Sequence, residues 1–231
     1  MSEITPAEWT AILLSLRVAV IATLVATPFG IALAWLLARH DFWGKSVLDA
    51  LVHLPLVLPP VVTGYLLLLT LGRRGLVGAW LADHLGIVFA FRWTGAALAC
   101  GVMSFPLLVR PIRLSIEAID RRLEQAASTL GAAPWKVFAT VTLPLALPGI
   151  LAGMVLGFAK AIGEFGATIT FVSNIPGETQ VISSAIYSLI QTPDGDTAAL
   201  RLVIVSVVIA LAALIASEWF ARRATRRLHG N

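Results

Sequence analysis

Two charges stand where charges are expensive. Lys160 and Glu164 lie four residues apart in the apolar run LAGMVLGFAKAIGEFGATITF. On a helix that spacing puts both side chains on one face, where each lowers the other's desolvation cost. Ionisable groups at membrane depth are functional candidates by default, and a mutual ion pair or snorkelling is the plainer reading. A second constellation is HLPLVLPPVVTGY, with Pro55, Pro59 and Pro60. Proline removes an amide donor and clashes with the preceding turn, so a helix must kink or break here. Broken backbone at membrane depth is tolerated only where protein or a water-filled cavity covers it. Pro59 and Pro60 therefore mark either a pathway with its gate or a packing kink. The third is IDRRLEQAASTLGAAPWKVFATVTLPLALPG. Asp120 suits a helix cap, and Leu123, Ala126, Ala127 and Leu130 follow at helical spacing. Gly131 can stop that helix in the left-handed conformation. Pro134 suits the first turn of a second short helix, with Val137, Phe138 and Val141 on its apolar face. Pro144 and Pro148 mark entry into the next apolar run. Ala126 and Ala127 leave room for close approach to another surface.

Other chemistry is sparse. The one GKS, at Gly44-Lys45-Ser46, has Arg39 where a phosphate loop needs its first glycine, so it reads as chance. No HExxH, GxSxG or CxxC occurs. His40, His53, His84 and His229 are scattered, and the lone cysteine, Cys100, makes neither a disulfide nor a metal cluster. The expectation is no catalytic residue, no bound metal and no cofactor; any motor must be another chain.

The elements that hold these residues follow from composition. The 231 residues are 58% hydrophobic and 13% charged, with a mean hydropathy of +0.88. That excludes a soluble domain, a disulfide scaffold and a disordered chain. Spans of roughly 20 apolar residues fit five times, at about 11–38, 46–71, 93–116, 143–172 and 198–220. Pro28 and Gly30 interrupt the first, and the short run 181–190 should be re-entrant or interfacial. Gly149, Gly153 and Gly157 form a small-residue stripe for close helix packing or a moving interface. The first span lacks a positive leader and is twice as long as a signal core, so it reads as retained. Eleven Lys and Arg between spans 1 and 2, between spans 3 and 4 and in the tail (Arg222, Arg223, Arg226 and Arg227) face three on the other side. The net charge of +4 thus concerns orientation, with the C-terminus cytoplasmic and the N-terminus outside, and not nucleic acid. Arg17 should snorkel outward, and most tryptophans lie at interfaces. The whole chain, with its core at about 11–220, is expected to be one all-α transmembrane domain.

The segment 120–144 resembles a known pattern. Gln125-Ala126-Ala127, three residues, Gly131, nine residues and Val141-Thr142-Leu143-Pro144 are similar to the EAA motif of binding-protein-dependent ABC importer permeases. Gln125 fills the glutamate slot and Glu124 precedes it, which leaves open the side chain that makes the polar contact. The resemblance implies the type I importer permease fold, with a cytoplasmic coupling helix contributed by Glu124, Gln125, Ala126, Ala127, Gly131, Leu143 and Pro144. It also implies a permease homodimer in a bacterial inner membrane, two separate ATP-binding subunits and an extracytoplasmic solute-binding protein. HLPLVLPPVVTGYLLL and GEFGATITFVSNIPGETQ look like the molybdate branch, so the binding protein would carry molybdate. On that reading Lys160 and Glu164 join Pro59 and Pro60 as pathway candidates, with Lys160 offering positive potential to the anion and GEFGAT acting as a hinge. Arg73, Arg74, Asp194 and Asp196 sit on the outer face as docking candidates or solvated loop charges. The alternatives are a sulfate/thiosulfate or tungstate permease of the same class, an ATP-independent channel or secondary transporter, and an intramembrane enzyme.

Overall fold

The computed structural model describes residues 4–229, with side chains through Ala216. The side chains of the tail arginines, Trp219 and His229 lie outside the described ones. Everything described is helical or connecting. Helix α1 (Pro6–Arg39) opens with a capping box between Thr5 and Glu8, which satisfies two amides that a helix start leaves free. It runs 34 residues without a break, so Pro28 does not interrupt it as the sequence suggested. The Thr27 hydroxyl donates to the Thr23 carbonyl at 2.7 Å in the turn that precedes Pro28.

Helices α2 (Lys45–Val57) and α3 (Pro60–Leu71) fill the second apolar run and turn through 114° between them. Leu58 still closes α2 onto Leu54. Pro59 then has no amide to continue, and Pro60 starts α3 at the position where none is needed. Helix α4 (Leu76–Leu85) is short. Helix α5 (Trp93–Glu117) is central, lying against α1 and α8.

The helix–glycine–helix segment is α6 (Arg121–Thr129) followed by α7 (Pro134–Val137). The second helix is not the separate short one expected. Through a π-turn, Phe138–Thr142, α7 continues into α8 (Leu143–Ile162), giving one 29-residue helix, Pro134–Ile162. Pro144 does not end it. In a regular α-helix its ring would meet the carbonyl four residues back, and the wider π-turn immediately before it opens that space.

The apolar run 143–172 is correspondingly not one continuous helix. Helix α8 stops at Ile162, Gly163 caps it, and α9 (Gly166–Val172) starts after Phe165. Helix α10 (Ile182–Leu189) is the short run expected, and α11 (Asp196–His229) extends the last span in both directions. Among the described residues, four helices are long and apolar enough to cross a membrane, or five if the bent pair α2–α3 counts as one.

The core forms where α1, α5, α8 and α9 meet, around Val18, Met103, Ile162 and Phe171, and continues around Ala34, Leu108, Ile112 and Ile150. The glycine stripe of α8 faces α5 inside this core. A Cβ at Gly153 would stand 2.5 Å from the Leu108 carbonyl oxygen, so only glycine permits that approach. At the N-terminal end of α1, buried Glu8 accepts a 2.7 Å hydrogen bond from Arg201 and ties α1 to α11. Arg17 does not simply snorkel: its guanidinium stacks 3.8 Å above the Trp93 ring.

Candidate functional site

The residues singled out from the sequence fall into two groups along the helix Pro134–Ile162. The first is at its N-terminal end. Asp120 caps α6 by accepting the Arg122 amide at 2.9 Å. At the other end the chain makes a left-handed turn at Gly131, φ +83°. The Gly131 amide donates to the Ser128 carbonyl at 3.0 Å and the Ala132 amide to the Ala127 carbonyl at 3.2 Å. These two bonds are the paired closure of a Schellman motif, which needs positive φ at the residue after the cap. Ala127 thus accepts the outer bond of the turn.

No residue of α6 is buried. Gln125 and Ala126 are exposed, and Leu130 and Trp135 beside them are 89% and 68% exposed. The face presented to the surroundings is therefore small and apolar at its centre.

Glu124 points the other way. Its carboxylate lies 3.0 Å from Arg39 Nε, at the last residue of α1, and accepts the Thr142 hydroxyl at 2.6 Å, in the π-turn. Arg39 also donates to the Ile119 carbonyl at 3.3 Å. The structure therefore separates the two adjacent polar residues: Glu124 is turned into the protein, and Gln125 is available at the surface. Trp35, one turn before Arg39, sits edge-on to His40 and Phe138. Leu143 and Pro144 follow Thr142 directly into α8 and do not contribute to the exposed face of α6.

The second group lies at the C-terminal end. Lys160 Nζ is 2.7 Å from Glu164 Oε2, with the carboxylate side chain 1% exposed and the ammonium side chain 29% exposed. Glu164 Oε1 accepts the Ala167 amide at 3.0 Å, and the Glu164 carbonyl accepts the Ser183 hydroxyl at 2.7 Å. Glu164 therefore caps α9 and anchors α10 while holding Lys160. The prolines come to the same place. Pro60 packs against Gly166, and a Cβ on Gly64 would be 2.5 Å from the Ala167 carbonyl oxygen. Both breaks, at Pro59 and at Gly163–Phe165, thus meet where α3 lies on α9. The buried Thr63 hydroxyl in this region has no protein partner.

Pro144 and Lys160 are sixteen residues apart on one helix, about 24 Å. The two groups are not one site. Gly44-Lys45-Ser46 opens α2, far from any phosphate cradle, and Lys45 bonds Asp41 at 2.7 Å. The Lys45 ammonium holds the exposed Asp41 carboxyl below its ordinary range. Arg39, Thr142 and Ser183 were missed by sequence reasoning. Arg39 was read only for its charge and for its place before Gly44-Lys45-Ser46, and no spacing pattern brings residue 39 to residue 124.

Comparison with known proteins agrees with the architecture. Residues 26–226 match the family model described as "Binding-protein-dependent transport system inner membrane component". The Escherichia coli K12 "Molybdenum transport system permease protein ModB" is 61% identical over 224 residues, covering 97% of this chain and 98% of that protein. The Haemophilus influenzae protein of the same name is 56% identical over 221 residues, covering 96% of each. Among solved structures, one described as a bacterial ABC transporter importing the acidic polysaccharide alginate superposes with a TM-score of 0.72 at 21% identity, over 95% of this chain and 80% of that one. At that identity it speaks for the fold alone, an ABC importer permease-like arrangement of helices. The chain belongs to the family of binding-protein-dependent transport system inner membrane components, a multi-pass helical family.

Proposed function

We propose that this chain is the membrane-spanning permease subunit of an ATP-driven molybdate importer, with ATP hydrolysis residing in a separate subunit. The substrate class is supported by 61% identity across nearly the whole length of a molybdenum permease, together with FVSNIPGETQ after the break at Gly163. The geometric observation that carries the mechanism is the uninterrupted helix Pro134–Ile162. It joins an exposed, Schellman-closed helix at one end to the double break of α3 and α9 at the other.

On this reading two copies form the pathway, and five spans cross in each copy, with α2–α3 counted as one bent span. The N-terminus faces outward and the C-terminus the cytoplasm. Helix α6 is the coupling helix and seats Gln125, Ala126 and Leu130 in a groove of an ATP-binding subunit. ATP binding closes two such subunits and brings the coupling helices together. The pathway then opens outward to a loaded extracytoplasmic binding protein, and hydrolysis resets it inward. Tight anion binding belongs to that external protein. The permease supplies a polar path, for which Lys160, held beside Glu164, is the cationic candidate, and a gate at Pro59, Pro60 and the 163–165 break.

The test is ATP-dependent molybdate uptake into vesicles containing this chain, its ATP-binding subunit and its binding protein. Uptake should be blocked by excess tungstate and not by excess sulfate. Sulfate carried in place of molybdate would keep the importer and overturn the substrate; flux without ATP would overturn the importer itself.

A further inference from the structure

Helix α6 has no buried residue, yet it must move as one piece with the spans if it is to drive them. An apolar interface does not supply that grip. The adjoining turn at Gly131 touches nothing that an added Cβ would meet within 4 Å. The grip is polar and concentrated. One carboxylate, Glu124, takes the Arg39 guanidinium at the end of α1 and the Thr142 hydroxyl at the head of α8. Arg39 is 9% and Glu124 18% exposed in the side chain, so the pair is sheltered enough for its hydrogen bonds to be strong. The weaker strut from Arg121 Nη2 to the Ala38 carbonyl, at 3.5 Å, reaches the same end of α1.

The π-turn has a reason to be there. Its i→i+5 bond, from the Leu143 amide to the Phe138 carbonyl, inserts about one residue relative to a regular helix and rotates α7 by roughly 100° relative to α8. That register places Thr142, 1% exposed, against Glu124 while α8 keeps its glycine face on α5.

We infer that Glu124 is the positioning residue that transmits motion of α6 to both α1 and α8, whereas Gln125 serves only at the docking surface. This rests on the importer reading for its transport assay, and a second assay is independent of it.

In the reconstituted complex, Glu124→Gln and Thr142→Val are compared with wild type and with Gln125→Ala. Uptake per ATP hydrolysed should fall about tenfold in Glu124→Gln and severalfold in Thr142→Val, as for loss of the ion pair in the first and of a single hydrogen bond to the carboxylate in the second. Hydrolysis itself should persist in both. Gln125→Ala should instead weaken co-purification of the ATP-binding subunit and keep the ratio. The charge-exchanged pair, Arg39→Glu with Glu124→Arg, should recover some of the coupling that either single change loses. In the second assay, spin labels on Ser128→Cys and Thr140→Cys, both exposed, report the distance between α6 and the π-turn. The native Cys100 is buried and remains silent. That distance distribution should broaden in Glu124→Gln in the permease alone. A wild-type ratio in both Glu124→Gln and Thr142→Val, or an unchanged distance distribution, overturns the assignment. If wild type carries no molybdate but the distribution broadens, the importer reading fails and the positioning role stands.

Discussion

Replacing Gly131 by valine tests whether the turn after α6 matters as backbone or as surface. An added Cβ meets no heavy atom within 4 Å, so sterics with the rest of the protein contribute nothing. What remains is φ +83°, a conformation that costs a non-glycine residue about 1–3 kcal/mol, with β-branched residues at the upper end. The two Schellman bonds, at 3.0 and 3.2 Å, each contribute about 0.5–1.5 kcal/mol net, so the strain is comparable to the energy that closes the turn. A deficit of about 2 kcal/mol lowers the equilibrium constant for closing the turn roughly thirtyfold. Two bonds worth about 2 kcal/mol together close the wild-type turn almost fully, so the intact fraction falls to about half. If only the intact turn docks, ATP-driven molybdate uptake in vesicles falls about twofold. Insertion and the melting of α1, α5 and α8 should not change. Gly131→Asn is the control, because asparagine visits the left-handed region readily, and it should retain most of the uptake. Wild-type uptake by Gly131→Val, or equal damage from asparagine and valine, would refute the reasoning.

Other outcomes rest on the same geometry. Lys160→Met strands the Glu164 carboxylate, 1% exposed, and should cost about 3–5 kcal/mol, read as a lower melting temperature in detergent. Adding Glu164→Gln should restore the melting temperature while uptake stays severalfold reduced; full uptake by that double variant would remove Lys160 from the pathway. Gly153→Ala puts a methyl 2.5 Å from the Leu108 carbonyl oxygen and should destabilise the α5–α8 pair by about 1–3 kcal/mol in the same melt. Leu130→Asp should leave melting unchanged, since the side chain is 89% exposed, yet reduce co-purification of the ATP-binding subunit.

Much of the architecture was legible because it rests on patterns that repeat along the chain. Apolar runs set the spans, and proline and glycine set the breaks at Pro59 and Gly131. Asp120 capped α6 as its type and place suggested. The misreadings share one physical cause, which is that local rules were overridden by neighbours. Pro28 stays inside α1, which Ala26 and Gly30 on either side of it hold against α5. Pro144 stays inside a helix because a π-turn precedes it. The run 143–172 looks continuous by hydropathy, but Glu164 caps a new helix at Gly166. The Arg39–Glu124–Thr142 contact spans 85 residues between its first two members. No periodicity in the sequence carries it.

The helix Pro134–Ile162 crosses α5 where Gly149 and Gly153 allow the closest approach, and that crossing makes it a lever with an off-centre fulcrum. From Gly153 the arm toward Pro134 is about 28 Å and the arm toward Ile162 about 14 Å, at 1.5 Å per residue. Under the coupling role proposed for α6, a stroke applied at the exposed end would be halved at the broken end, where the proposed gate of α3 and α9 lies.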